Sequence, residues 1–181
     1  MPKDYAAWAS RWRVPLGFGL GVSYLLLARP APKLLLCGAA LGLAGLLLRA
    51  WAAGHLSKNQ RLATGGPYAY TRNPLYLGSA VMGLGGALAG RSWLIGGAFV
   101  VLFVLVYLPV MQRESHFLEK EFPETFGSYA GHVPLFFPRL SPWRDEGERF
   151  QWRLYLRNHE YEAAAGYAGV MLFLALRMWL S

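Results

Sequence analysis

The feature that most constrains this chain is a polar, turn-forming stretch, His55 to Tyr76, set between apolar runs long enough to cross a bilayer. A hydrocarbon core ~30 Å thick takes about 20 apolar residues in a helix, and backbone at that depth must satisfy its own hydrogen bonds. Five runs are candidate spans, about 14–28, 33–53, 74–90, 93–112 and 162–180, the first and third of them short. With 55% hydrophobic and only 15% charged residues, an ordinary soluble domain is excluded. The chain opens with Pro2-Lys3-Asp4-Tyr5 and a Trp8, Arg11, Trp12, Arg13 segment suited to the headgroup layer, not with a cleavable signal pattern. The expected fold is an all-α, polytopic membrane helix bundle forming one domain over 1–181. Residues 1–53 form its N-terminal helices, 54–140 its core, and 141–181 an interfacial segment plus an extra transmembrane helix.

Inside the polar stretch, Gly65-Gly66-Pro67 must break a helix, since the glycines free φ and the proline fixes its own and removes a donor. Asn73-Pro74 restarts one, with Pro in the first turn and Asn73 as the expected N-cap. Tyr68, Tyr70 and Arg72 lie between break and restart, and Tyr76 one turn beyond. Amides at a helix start favour an anionic or carboxylate-bearing ligand, so this loop is the candidate site. Elsewhere, Gly17/Gly21, Gly38/Gly42 and Gly86/Gly90 have the small-xxx-small spacing that lets helices approach closely in lipid. Gly17, Gly19 and Gly21 lie inside an apolar helix with no preceding strand, which rules out a nucleotide-binding loop. Pro30-Ala31-Pro32 predicts that spans one and two are antiparallel neighbours, and Gly90-Arg91-Ser92 a tight hairpin between spans three and four. Pro109 is expected to kink the fourth span. The single Cys37 permits no internal disulfide, and four His without clustered spacing make no metal site.

Charge sets the orientation. Five spans place fourteen of the 18 Lys and Arg on one side, in the N-terminus, the loop after span two and the segment after span four. Arg29, Lys33, Arg91 and Arg177 fall on the other. The positive-inside rule then puts the His55–Tyr76 loop and residues 113–160 together in the cytoplasm. The net charge of +8 reads as anionic-lipid contact and orientation rather than nucleic-acid binding. The mixed-sign run Arg144–Arg149 reads as a solvated turn, and Phe150–Arg157 as a helix lying in the interface. The last span is expected to pack on the core or, with the glycine-rich helices, to mediate a homo-oligomer.

The segment Gly65-Gly66-Pro67-Tyr68-Ala69-Tyr70-Thr71-Arg72-Asn73-Pro74-Leu75-Tyr76-Leu77-Gly78 resembles the GPY-x3-R-[HN]-P-x-Y-x-G signature of the isoprenylcysteine carboxyl methyltransferase and phospholipid methyltransferase family. A second block is similar to that family's C-terminal part: Glu114 four residues before Leu118, then Phe126-Gly127-Ser128-Tyr129, Val133-Pro134 and Pro138. Together the blocks cover roughly residues 50 to 138. Ser115 stands where the family has a second Glu, Phe126 where it has a Tyr, and Asn73 where His is usual.

The resemblance implies an integral-membrane enzyme using S-adenosyl-L-methionine, with the active site facing the cytoplasm and no metal. It implies cofactor contacts from Gln60, Arg61, Leu62, Ala63, Tyr68, Asn73, Pro74, Leu75 and Tyr76, with Glu114 on the cofactor's amino group or ribose. Methyl transfer from a sulfonium is an in-line displacement, so alignment alone can supply ~7–11 kcal/mol. Arg72 suits the cofactor carboxylate, and Tyr68 suits stacking or a cation–π contact. His55, at the end of span two, is the candidate proton acceptor for an amine or thiol, because its ordinary pKa lies near neutrality. The eukaryotic prenylcysteine enzymes place an Arg one turn before the motif Glu, where this chain has Val110, although Arg113 lies close. The acceptor therefore stays open among an isoprenylcysteine-type carboxylate, a phospholipid amine and a small amine or thiol. Two other classes stay open as well, an NADPH-dependent sterol-type reductase relative and a non-catalytic membrane scaffold.

Overall fold

The computed structural model describes residues 3–57, 61–143 and 148–180. Among them the chain forms seven helices and no strand: α1 (Lys3–Leu27), α2 (Pro32–Ala53), α3 (Pro74–Ala89), α4 (Trp93–Glu121), α5 (Pro123–His132), α6 (Trp152–Arg157) and α7 (Glu160–Leu180). This is the all-α bundle that the apolar runs predict. By length and apolarity α2, α4 and α7 can each cross a membrane, whereas Val14–Leu27 of α1 and the whole of α3 are shorter. At 1.5 Å per residue the 16-residue α3 reaches only about 24 Å, less than the ~30 Å core. Outward faces carry apolar side chains such as Phe18, Leu94 and Trp179, each more than 70% exposed, the inverse of a water-soluble surface. The protein is integral to the membrane.

The α2–α3 pair is the centre of the bundle, and glycines decide how close it comes. A Cβ on Gly38 would lie 2.5 Å from the carbonyl of Gly85, and one on Gly85 2.5 Å from the amide of Gly42. Lower down, Gly45 faces Gly78 and Met82 in the same way. In lipid, where apolar burial gives helices no mutual attraction, such backbone contact is the main source of association. By contrast, Cβ atoms on Gly17, Gly21 and Gly86 would meet nothing, so those glycines do not mediate the close packing their spacing suggests. Spacing marks small residues but not which face of a helix meets a neighbour.

The expected pairing of spans one and two is replaced by another. α1 packs on α4, with Ala9 buried against Val106 and Val110, while α7 takes the free side of α2. One polar bond accompanies this packing. Pro109 has no N–H, so the carbonyl of Leu105 loses its helical partner, and Tyr5 of α1 donates its hydroxyl to that oxygen at 2.9 Å. A five-residue π turn, Phe103–Tyr107, lies just before the proline. The tight hairpin between α3 and α4 forms as expected. Arg91 takes positive φ (50°), and the Ser92 amide reaches back to Ala87. At that end of the bundle the Arg29 amide donates to Gly90, and Arg177 donates to the carbonyls of Leu25 and Leu26. The polar loop lies at the opposite end, where α2 ends and α3 begins.

Candidate functional site

The chain leaves α2 at Ala53, reaches a 3-10 turn at Gly66–Ala69 and re-enters helix at Pro74. Gly66 holds φ +55°, a conformation side chains disfavour, and a Cβ there would strike the His55 ring. Asn73 occupies the N-cap position of α3 as expected, but its side chain does not cap. Its amide donates instead to the carbonyl of Leu135 at 2.9 Å.

That bond is one of a set by which the second motif block holds the first. The Arg72 amide donates to Pro134, the Arg139 amide to Tyr70 and the Trp143 amide to Ala69, at 2.9, 3.0 and 3.0 Å. Thr71 donates its hydroxyl to Phe136 at 2.8 Å, and Tyr129 its hydroxyl to Tyr68 at 2.9 Å. Each residue from Ala69 to Asn73 thus has a backbone or side-chain bond to the segment 134–143, which fixes the side chains that project the other way. The two blocks are one structure.

Those side chains line a cavity of about 130 Å³ between the loop, the start of α3, the end of α4 and α5. Sites that bury a whole drug-sized ligand run to ~300–1,000 Å³, so this one takes one end of such a ligand and leaves the rest along its open mouth. Nine residues singled out from the sequence line it: Leu62, Ala63, Tyr68, Arg72, Asn73, Pro74, Leu75, Tyr76 and Glu114. Leu56, Ser115, Leu118, Phe126 and Tyr129 line it too. The second block contains the last four, but as a motif and not as walls; their contribution follows from α5 folding back under α4.

Three named residues lie elsewhere, and a fourth, Gln60, is outside the described residues. Arg113 is exposed on α4, away from the cavity lining. Arg61 turns from the cavity to pair with Glu148 at 2.7 Å. His55 is buried beneath the 3-10 turn, with Nδ1 2.8 Å from the Trp51 carbonyl and Nε2 3.1 Å from the Glu148 carbonyl. Both ring nitrogens face backbone acceptors, so neither addresses a substrate in the cavity.

The cavity's electrostatics rest on Arg72 and Glu114. The Nε of Arg72 is buried without a hydrogen-bond partner, and its guanidinium lies 5.9 Å over the Phe126 ring. Desolvation holds the Arg72 pKa below its ordinary value. Glu114 accepts the Tyr76 hydroxyl at 2.8 Å, joining the end of α4 to the start of α3. Burial, then the neighbouring Tyr129 and Glu114, push the Tyr68 phenol well up, and burial does the same for Tyr129. Both therefore stay protonated near neutrality as hydrogen-bonding walls. A part-buried cation with an unused, buried Nε donor and a carboxylate in one cavity suit a zwitterionic ligand.

Residues 36–125 match the family described as phospholipid methyltransferase. That interval contains most of α2, all of α3 and α4, and most of the cavity lining. Two curated relatives are similar over longer or comparable stretches. The cobalt-zinc-cadmium resistance protein CzcN of Cupriavidus metallidurans is 34% identical over 144 residues, 78% of this chain and 58% of that protein. The nickel-cobalt-cadmium resistance protein NccN of Alcaligenes xylosoxydans xylosoxydans is 39% identical over 100 residues, 54% of this chain and 46% of that protein. The chain thus spans about half the length of each. No solved structure matches it.

Proposed function

We propose that this chain, which belongs to the phospholipid methyltransferase family by residues 36–125, moves a methyl group from S-adenosyl-L-methionine to a lipophilic acceptor at the membrane surface. The observation that carries the reading is the buried, unpartnered Nε of Arg72 in the same cavity as Glu114. The cofactor's amino-acid end bears a carboxylate for the first and an ammonium for the second. Tyr68 and Phe126 supply apolar and aromatic wall for its remainder, and the uncapped start of α3 favours the carboxylate further.

When bound, the cofactor supplies a methyl group on a sulfonium, a leaving group that needs no acid. The protein's task is then to hold donor and acceptor in line and to exclude water, with no metal or covalent intermediate required. Arg72 and Glu114 anchor, the second block keeps the loop rigid, and the acceptor enters from the bilayer beside α3 and α4. A carboxylate acceptor has no proton to lose. An amine or thiol has one, and with His55 turned into the fold and Glu114 engaged with the cofactor, that proton passes to water. The placement of His55 thus favours an acceptor that needs no base, an isoprenylcysteine-type or related carboxylate.

Calorimetry of the detergent-solubilised protein should show saturable binding of S-adenosyl-L-methionine and its demethylated product without added divalent metal. Glu114→Gln keeps the shape but loses a charge-assisted hydrogen bond of ~1.5–3 kcal/mol, so affinity should fall roughly ten- to a hundred-fold. A flat titration of folded wild type would end the proposal. Binding of NADPH in its place would make the protein a reductase, and binding of neither cofactor a scaffold.

The charge distribution supports a cytoplasmic site. Reporter fusions after Ser57 and at Ser181 should report opposite sides, with Ser57 in the cytoplasm. Both reporters on one side would mean that one of α3, α4 and α7 does not cross.

A further inference from the structure

Residues 148–160 lie beyond the family-matched interval, yet they are fastened to the loop that forms one wall of the cavity. The amide of Gln151 donates to Gly54, and Asn158 donates its side-chain amide to Ala53 and Leu56, at 2.9, 3.0 and 2.9 Å. These carbonyls stand at the C-terminal end of α2, where a helix leaves acceptors unsatisfied. Further along, buried Glu160 pairs with Arg49 of α2, which also reaches Ser79 of α3. At the other end of the strap, Glu148 touches the loop three times. Its carboxylate accepts Arg61 at 2.7 Å, its carbonyl lies 3.1 Å from His55 Nε2, and its side chain presses so closely on Gly65 that a Cβ there would sit 2.8 Å from Oε2.

The segment it holds packs Leu62 and Ala63 into the apolar clusters around Tyr129 and Tyr68 but has few polar ties. No backbone–backbone hydrogen bond among the described residues ties Arg61 through Thr64 to the rest of the fold, although Leu62 and Ala63 are cavity wall. We propose that Glu148 is a positioning residue, which holds the Arg61–Tyr68 wall in its ligand-receiving shape from a C-terminal strap outside the methyltransferase core. The inference builds on the cofactor reading given above, and its first readout is independent of it. An exposed ion pair alone contributes little, but a tether on an otherwise unbonded loop also saves the entropy of ordering it on binding.

The test uses the full chain in nanodiscs as wild type, Glu148→Gln, Glu148→Ala, Arg61→Glu and the reversed pair Arg61→Glu/Glu148→Arg. Without ligand, amide exchange across 61–68 should quicken in Glu148→Ala and Arg61→Glu, recover in the reversed pair and stay unchanged in α2 and α3. Glu148→Gln, which preserves shape, decides the matter if the alanine variant does not fold. With the demethylated cofactor product, affinity should fall roughly three- to tenfold in the single variants and return in the pair. In turnover assays Glu148→Gln should raise the cofactor KM and leave kcat at saturating cofactor within about twofold, a split that general destabilisation would not give. Unchanged exchange at 61–68 overturns the proposal, as does equal affinity in every variant of a wild type that binds. Altered exchange with no wild-type binding leaves the strap's hold on the loop standing and removes the cofactor reading.

Discussion

Gly38→Ala should fail to yield a stably folded protein, while Gly86→Ala should be indistinguishable from wild type. The two substitutions add the same methyl group to neighbouring helices. On Gly38 the new Cβ would lie 2.5 Å from the Gly85 carbonyl and against the backbone of Ala89, whereas on Gly86 it would meet nothing within 4 Å. The obstacle at Gly38 is backbone, which cannot rotate aside, so α2 and α3 must separate. Overpacking in a close-packed core commonly costs about 1–3 kcal/mol, and rigid backbone on both sides puts this case at the top of that range or beyond. A protein with ~5–15 kcal/mol of total stability loses a large share of it. The effect also reaches the site, because α2 delivers the chain to the polar loop and α3 receives it. Thermal unfolding in detergent, with size-exclusion chromatography to score folded yield, compares the pair directly. Equal stability of the two variants would mean that α2 and α3 do not cross at these glycines.

The bundle itself was legible because its signals are local. Apolar length marks spans, proline and paired glycine mark breaks, and Asn73-Pro74 marks a restart. What escaped depends on partners distant in sequence. Nothing near Leu105 announces that Pro109 leaves its carbonyl to Tyr5, a hundred residues away, yet that bond accompanies the packing of α1 on α4 instead of α2. The four-residue spacing of Gly17 and Gly21 equals that of Gly38 and Gly42, and only the second pair meets another helix. The candidate site divides in the same way. Residues in the two motif blocks converge on one cavity, since their backbones bond to each other. His55 suggests a base by its chemistry and its place beside the loop, but the Glu148 carbonyl closes over it. Glu148 was expected in a solvated turn and proves to be fastened to the loop, because a mixed-sign run does not reveal that one of its carboxylates has a distant arginine to meet. Of that run, residues 144–147 lie outside the described residues.

Arg72→Lys should weaken cofactor binding by roughly a hundredfold without lowering the stability of the ligand-free protein. A buried N–H with no acceptor costs about 1–3 kcal/mol, and Arg72 carries one at Nε in the absence of ligand. Its guanidinium rests over Phe126, which keeps the Nε out of water although the residue as a whole is part-exposed. An incoming carboxylate that takes this donor removes the penalty and gains a charge-assisted bond, and the fixed fork of arginine allows two such bonds at once. Lysine keeps the charge but has neither the Nε donor nor the fork, so binding falls while the penalty in the free protein disappears. A cationic residue kept only for structure behaves in the opposite way, its replacement lowering the melting temperature and leaving affinity intact. The measurement pairs thermal unfolding of both ligand-free proteins with titrations of S-adenosyl-L-methionine and of an analogue lacking only the carboxylate. Wild type should prefer the intact cofactor strongly, and Arg72→Lys should bind the two ligands nearly alike. Equal discrimination by both proteins would place the cofactor carboxylate elsewhere and leave the buried Arg72 donor without a ligand.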